Sequence, residues 1–282
     1  MPKILLALTG LMLALVAGCA PAPAARDRPP AAHGGRDAPA FVSLNPCLDA
    51  LLVAIAAPRQ ILALSHYSRD ASSSSLAPGI VERFGTTGGT AEEVIALRPD
   101  VVLASSFIDP ATRSALERIG LRVETFGSPA SLAESVEQVR RIAALAGREE
   151  AGEALAQRIR AGAPREAVAE ISTLLWQPGQ IVPGETTLIA QLMAQSGLAS
   201  HSAARGLGQA DHVALETLLA DPPELLLVAG DSAGQDHPLL ARLEDTHVER
   251  IRSNLLYCGG PTIPAVRARF AEIRAGIEGR AE

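Results

Sequence analysis

Aromatic residues make up only 3% of this 282-residue chain, one Trp, two Tyr and five Phe, so any aromatic contact surface must be built from very few positions. Cysteine is as scarce, and three residues leave room for one disulfide at most. Lys and Arg occur in no run longer than two and the formal net charge is −6, which argues against nucleic acid as a partner. The six His are scattered, with no His-rich loop and no triad spacing, so a site for a free zinc or manganese ion is disfavoured and no metal ligand set is assigned. The run Gly85, Thr86, Thr87, Gly88, Gly89 lacks the Lys and spacing of a phosphate loop. No catalytic residue and no cofactor are therefore expected. The apolar stretch at residues 4–16 is too short for a permanent bilayer span.

That stretch is nevertheless informative. It follows Lys3 and closes on Leu15, Val16, Ala17, Gly18 and Cys19, the pattern that lipoprotein signal peptidase cleaves. Residues 1–18 read as a lipoprotein signal peptide, with Cys19 lipidated on its thiol and amino group. Residues 19–39 are rich in Pro, Ala, Arg, Asp and Gly without apolar periodicity, and read as a disordered tether.

Beyond the tether, strands are expected at 40–44, 60–64, 100–104 and 122–126, with helices at 48–57, 90–97 and 110–119. Thr90 with Glu93 three residues on reads as a capping box, and Pro99 stops that helix. Helices follow at 131–146 and 148–161, with Gly147 between them and Gly162, Ala163 and Pro164 after them. Alternation then resumes: strands at 171–176, 224–229 and near Leu255, and helices at 187–196, 212–219, 238–243 and 262–277. The fold class is α/β, with two Rossmann-like lobes flanking a helical middle. The expected divisions are 40–147, 148–169 as the connecting helix, and 170–282. Ligands of open parallel sheets bind outside the carboxyl ends of the strands, so two facing lobes share one cleft.

The stretch Gly89-Thr-Ala-Glu-Glu-Val-Ile-Ala-Leu-Arg-Pro-Asp-Val-Val102 resembles the "E-x-I-x-A-L-x-P-D-L-V" segment of the periplasmic substrate-binding proteins for iron complexes and vitamin B12. A second stretch, from Val213 to Leu226, repeats that logic in the second lobe, and Gly184 to Gly197 is similar to the family's turn and first helix there. The resemblance implies two lobes joined by one long rigid helix and a metal chelate carried as cargo. It also implies partnership with an ABC permease and its ATPase, and a monomer on the periplasmic side of the cell envelope held to the membrane only by its lipid. It further implies that Glu92 and Glu216, one per lobe, dock on permease arginines; as acids at helix N-termini they also suit the helix dipole. Gly162 and Pro164 depart from the family's uninterrupted helix, since an interior Pro costs about 3 kcal/mol.

Loops after strands should line the cleft, which singles out Asn45 and Pro46, His66, Tyr67 and Arg69, Trp176 and the residues up to Gly179, and Tyr257 to Pro261. Both tyrosines and the single Trp fall there, favouring an apolar or planar ligand face. Ser65, His66, Tyr67, Ser68 also resembles the loop with which the B12-binding member offers a Tyr to the corrin ring. Cobalamin is thus the first expectation for the cargo, a ferric siderophore or haem the second; a hydrolase and an envelope scaffold are the distant alternatives. Cys47 and Cys258 both follow strands that face the cleft. A disulfide is the leading reading, beside two buried thiols or thiolate contact with the cargo metal.

Overall fold

The computed structural model describes residues 37–162, 170–230 and 233–281. The signal peptide, Cys19, the tether up to residue 36, and Ala163 with Pro164 lie outside the described residues.

Five short segments form the first sheet: β1 Phe41–Ser43, β2 Ile61–Ser65, β3 Thr86–Thr87, β4 Val101–Ser105 and β5 Arg122–Phe126. Their order is β3-β2-β1-β4-β5, all parallel. Parallel strands need crossovers, supplied by α1 Pro46–Ile55, the one-turn α2 Pro78–Val81, α3 Ala91–Leu97 and α4 Pro110–Arg118. The second sheet comprises β6 Ile171–Trp176, β7 Leu198–Ser200, β8 Leu225–Ala229 and β9 His247–Ile251, again parallel, in the order β7-β6-β8-β9. Helices α7 Leu188–Gln195 and α8 Leu215–Ala220 serve it, and the chain ends in α9 Thr262–Ala281. The orders superpose topologically, with β6, β7, β8 and β9 standing where β1, β2, β4 and β5 stand in the first lobe.

Between the sheets lie α5 Leu132–Ala146 and α6 Glu149–Arg160. Ser131 caps α5 by accepting the Glu134 amide, and Gly147 ends it in the left-handed conformation at φ 61°. The two helices cross so closely that a Cβ on Gly152 would collide with the Ala143 side chain. α6 stops at Arg160, short of the expected 148–169, and Gly162 lies beyond its end. One apolar core runs from Phe41 and Leu103 through Ile142 and Leu155 to Leu227 and Phe270, so both sheets pack on the same helical layer.

Several local expectations are corrected. The apolar run near Leu255 is a 3-10 turn, Ser253–Leu255, and the strand is the half-polar β9 that precedes it. Residues 238–242 form a 3-10 helix, not an α-helix, and α8 begins at Leu215, three residues later than expected. Thr90 does cap α3 by accepting the Glu93 amide at 3.3 Å. The Glu93 carboxylate, however, accepts Thr87 Oγ1 at 2.7 Å and the Gly88 amide at 2.6 Å, and these bonds hold it below the usual carboxylate range. It ties β3 to α3 and leaves the capping box half made.

Candidate functional site

At the carboxyl edge of the first sheet, β1 runs into Asn45, whose Oδ1 accepts the Cys47 and Leu48 amides at 2.9 and 3.3 Å, with Pro46 preset for the first turn of α1. Asn45 is thereby committed to its helix. After β2 comes the 3-10 turn His66–Arg69, capped by Ser65, whose Oγ accepts the Tyr67 amide at 3.3 Å. His66 Nδ1 lies 3.2 Å from the Thr87 carbonyl, which can only accept, so Nδ1 carries the proton and Nε2 the lone pair. The His66 and Tyr67 rings pack with centroids 4.0 Å apart and planes tilted by 35°, and Tyr67 is 54% exposed; Arg69 is exposed beside them.

Facing this edge, the second lobe contributes Tyr257, 48% exposed, whose phenol is raised by partial burial against the pull of a Ser253 hydrogen bond. Cys258 beside it forms a disulfide with Cys47 on α1, Cα atoms 5.2 Å apart, so the two lobes are covalently joined at the cleft floor. The free-thiol and metal-thiolate alternatives fall away. The same seam carries Gly260, whose amide donates to Ser135 Oγ at 2.8 Å. A Cβ there would strike Leu51 and its φ is 67°, so close approach and backbone angle both require glycine.

Above the disulfide a cavity of about 380 Å³ opens between the loop at Ser128 to Ala130 and the second lobe. Its polar lining is Ser128, Gln177, Thr186, Thr187, Gln209 and the Tyr257 edge; the remainder is apolar, and no lining residue carries a formal charge. His66 and Tyr67 stand outside this lining, on the lobe-one edge.

Trp176 requires correction. It is fully buried among Leu174, Val182 and Val213, and its indole donates to the Val213 carbonyl at 2.9 Å. As the last residue of β6 it follows the strand's alternation onto a covered face, and its neighbour Gln177 lines the cavity instead.

Two residues of this edge were not anticipated. Phe107, two positions past β4, is 86% exposed on a turn closed by Ser105 Oγ accepting its amide at 3.1 Å. The rule about loops after strands, applied to β4, points to it. Asp49, the one acid in the apolar run of α1, is fully buried. Burial pushes its carboxyl up to about 7, against the hydrogen bonds that its Oδ2 accepts from the Ser68 hydroxyl and the Ser65 amide. Folding thus favours the protonated form, and the group's contribution weakens as pH rises between the unfolded value of 3.8 and about 7. Asp49→Asn, which mimics the protonated acid, should match the wild type at pH 4 and gain progressively up to pH 7. A shift of this size corresponds to on the order of 4 kcal/mol. Urea denaturation at both pH values checks this, and a pH-independent difference would refute it.

Two parallel α/β lobes are thus joined through a helical layer and a disulfide, beside a cavity whose lining carries no charged side chain. A family model for periplasmic binding proteins matches residues 41–248, and the chain belongs to that family. Its members are the substrate-binding components of ABC importers, acting outside the cytoplasm with a permease and its ATPase. They are transport proteins, not enzymes, and what they bind is cargo, not cofactor. A comparison with curated proteins finds no match.

Among solved structures, the periplasmic haem-binding protein HutB of Vibrio cholerae is similar at TM-score 0.67 and 18% identity, covering 83% of this chain and 98% of that one. The periplasmic vitamin B12 binding protein BtuF of Vibrio cholerae gives 0.63 and 16%, covering 86% and 98%. A possible iron-binding periplasmic solute-binding protein of Staphylococcus epidermidis gives 0.67 and 13%, covering 86% and 99%. At these identities the likeness is one of fold.

Proposed function

We propose that this chain captures a corrinoid, cobalamin in the first instance, and delivers it to its permease. The observation that carries the reading is the cavity wall: Gln177, Thr186, Thr187 and Gln209 offer neutral donors and acceptors beside Tyr257. A corrin ring carries neutral amide side chains that such groups satisfy. Ligands rimmed with carboxylates, haem among them, favour cationic partners when desolvated. A second reading, haem, draws on His66, whose Nε2 lone pair is left available by the bond to Thr87.

Absorbance titration with cyanocobalamin and with hemin separates the two. In the corrinoid reading cyanocobalamin binds and hemin does not; the reverse outcome replaces it with the haem reading. Tyr67→Ala and Tyr257→Ala should each weaken cyanocobalamin by roughly 1–3 kcal/mol, the scale of a lost desolvated aromatic contact. Wild-type affinity in both variants would move the site elsewhere.

The lobes are taken as 40–147 and 170–282 with 148–169 connecting them, on a monomeric protein lipidated at Cys19. The sequence at residues 15–19 supports the anchor. Cys19→Ser should shift the protein from the detergent phase to the aqueous phase while cyanocobalamin affinity stays unchanged. Unaltered partitioning would remove the anchor from the scheme.

A further inference from the structure

Asp49 lines no part of the cavity, yet it sits beneath the turn that presents Tyr67. It lies on the first turns of α1, fully shielded from solvent. Its Oδ2 accepts the Ser65 amide at 2.9 Å and the Ser68 hydroxyl at 2.6 Å. Those two residues bracket His66 and Tyr67, so one carboxyl oxygen grips the turn on both sides of the exposed rings. An apolar side chain at this position would leave a buried N–H and O–H unpaired.

The contacts continue across the cleft. Ser74 Oγ reaches Ser68 Oγ at 3.4 Å, and the Ser74 and Ala71 carbonyls accept both protons of the Asn254 amide, at 2.8 and 2.9 Å. Asn254 is the centre of the 3-10 turn Ser253–Leu255, three residues before Tyr257. Hydrogen bonds thus link the Tyr67 turn of lobe one to the Asn254 turn that leads into Tyr257 in lobe two. The groups facing the carboxyl are Ser43 from β1 and Ser65 and Ser68 from the turn, all neutral. A buried acid without a counter-charge costs stability, and hydrogen-bonding the aromatic edge is what it supplies in return.

We propose that Asp49 is a positioning residue for cargo capture, holding Tyr67 and, through Ser68, Ser74 and Asn254, Tyr257 in one preorganised frame. This rests on the reading of the cleft as a chelate site, and its test includes a readout that needs no cargo.

Hydrogen exchange of the cargo-free protein is compared for wild type, Asp49→Ala, Asp49→Asn and Asn254→Ala. In Asp49→Ala, exchange at 65–74 and at 253–258 should rise about tenfold, the loss of a buried hydrogen bond, while α4 and β5 keep wild-type rates. Asp49→Asn should restore protection, because its amide oxygen replaces Oδ2. Asn254→Ala should loosen both segments as well. Should Asp49→Ala not fold, Ser68→Ala removes one arm of the same grip and must reproduce the pattern.

With cyanocobalamin as probe, Asp49→Ala should bind about tenfold more weakly, and adding it to Tyr67→Ala should cost little more than Tyr67→Ala alone. A uniform rise in exchange, a rise at 65–74 with 253–258 unmoved, or additive losses in the cycle would each overturn the proposal. If neither cyanocobalamin nor hemin binds the wild type, the chelate reading falls, and the exchange pattern still decides the frame.

Discussion

Removing the Cys47–Cys258 bond should cost the folded body about 3–5 kcal/mol, because it closes a loop of 211 residues and restrains the unfolded chain accordingly. The bond also joins the first turn of α1 to the loop that carries Tyr257, whose carbonyl lies 3.7 Å from Cys47 Sγ. Its loss should therefore loosen the cleft as well as the fold. The double variant Cys47→Ala, Cys258→Ala is the appropriate test, since it leaves no unpaired thiol. Urea denaturation should show the loss, and cyanocobalamin affinity should fall in the same protein. A loss below about 1 kcal/mol would mean that the unfolded chain retains structure or that the bond is strained. The remaining seam, Gly260 on Ser135 and Asn254 on Ala71 and Ser74, would then hold the lobes together with the shared core.

The parallel α/β architecture was legible because its inner strands are continuous apolar runs bounded by Pro, Gly and Asp. Strands β5 and β6 fall at the expected residues. Of the four edge strands only β5 was legible. β3 has two residues and β7 three, too few for any periodicity to register. β9 reads His-Val-Glu-Arg-Ile with alternating exposure, so the fully apolar Leu255 and Leu256 next to it drew the strand assignment instead. Those leucines owe their burial to packing between turn and core, which is not encoded within the segment itself.

The cleft shows the same division. That Cys47 and Cys258 stand on one cleft followed from chain order, and the structure joins them. Which way a strand-end side chain turns did not follow: Trp176 obeys the alternation of β6 and turns into the core. Nor did the destination of a carboxylate. Glu93 has the spacing of a capping box, yet two stronger donors, Thr87 Oγ1 and the Gly88 amide, stand closer once β3 is in place. Asp49 left a trace that can be read in retrospect, a lone acid in an otherwise apolar helix, which must either be exposed or hold something buried.

Reversing the charge at both Glu92 and Glu216 should abolish uptake while leaving cargo affinity intact. The two residues are structurally matched: each is the second residue of its helix, α3 or α8, and each is exposed. Each helix also joins an edge strand, β3 or β7, to the next strand of its lobe, β4 or β8. A helix that follows a parallel strand begins at the strand's carboxyl edge, so both carboxylates stand on the rim that also bears the cleft. Negative charge at a helix N-terminus is favoured by the dipole, which accounts for either acid alone. The dipole does not account for the repetition at the same position of both lobes, whereas a permease that meets both rims at once does. Like-charge contact across such an interface costs several kcal/mol, enough to prevent docking, while neither residue lines the cavity. Uptake measured in cells carrying Glu92→Lys, Glu216→Lys should fall to background, and cyanocobalamin titration of the purified variant should match the wild type. Each single reversal should give an intermediate defect, since one rim remains engaged. Wild-type uptake by the double variant would place docking on other residues, and loss of cyanocobalamin binding would place these two carboxylates in the cargo site instead.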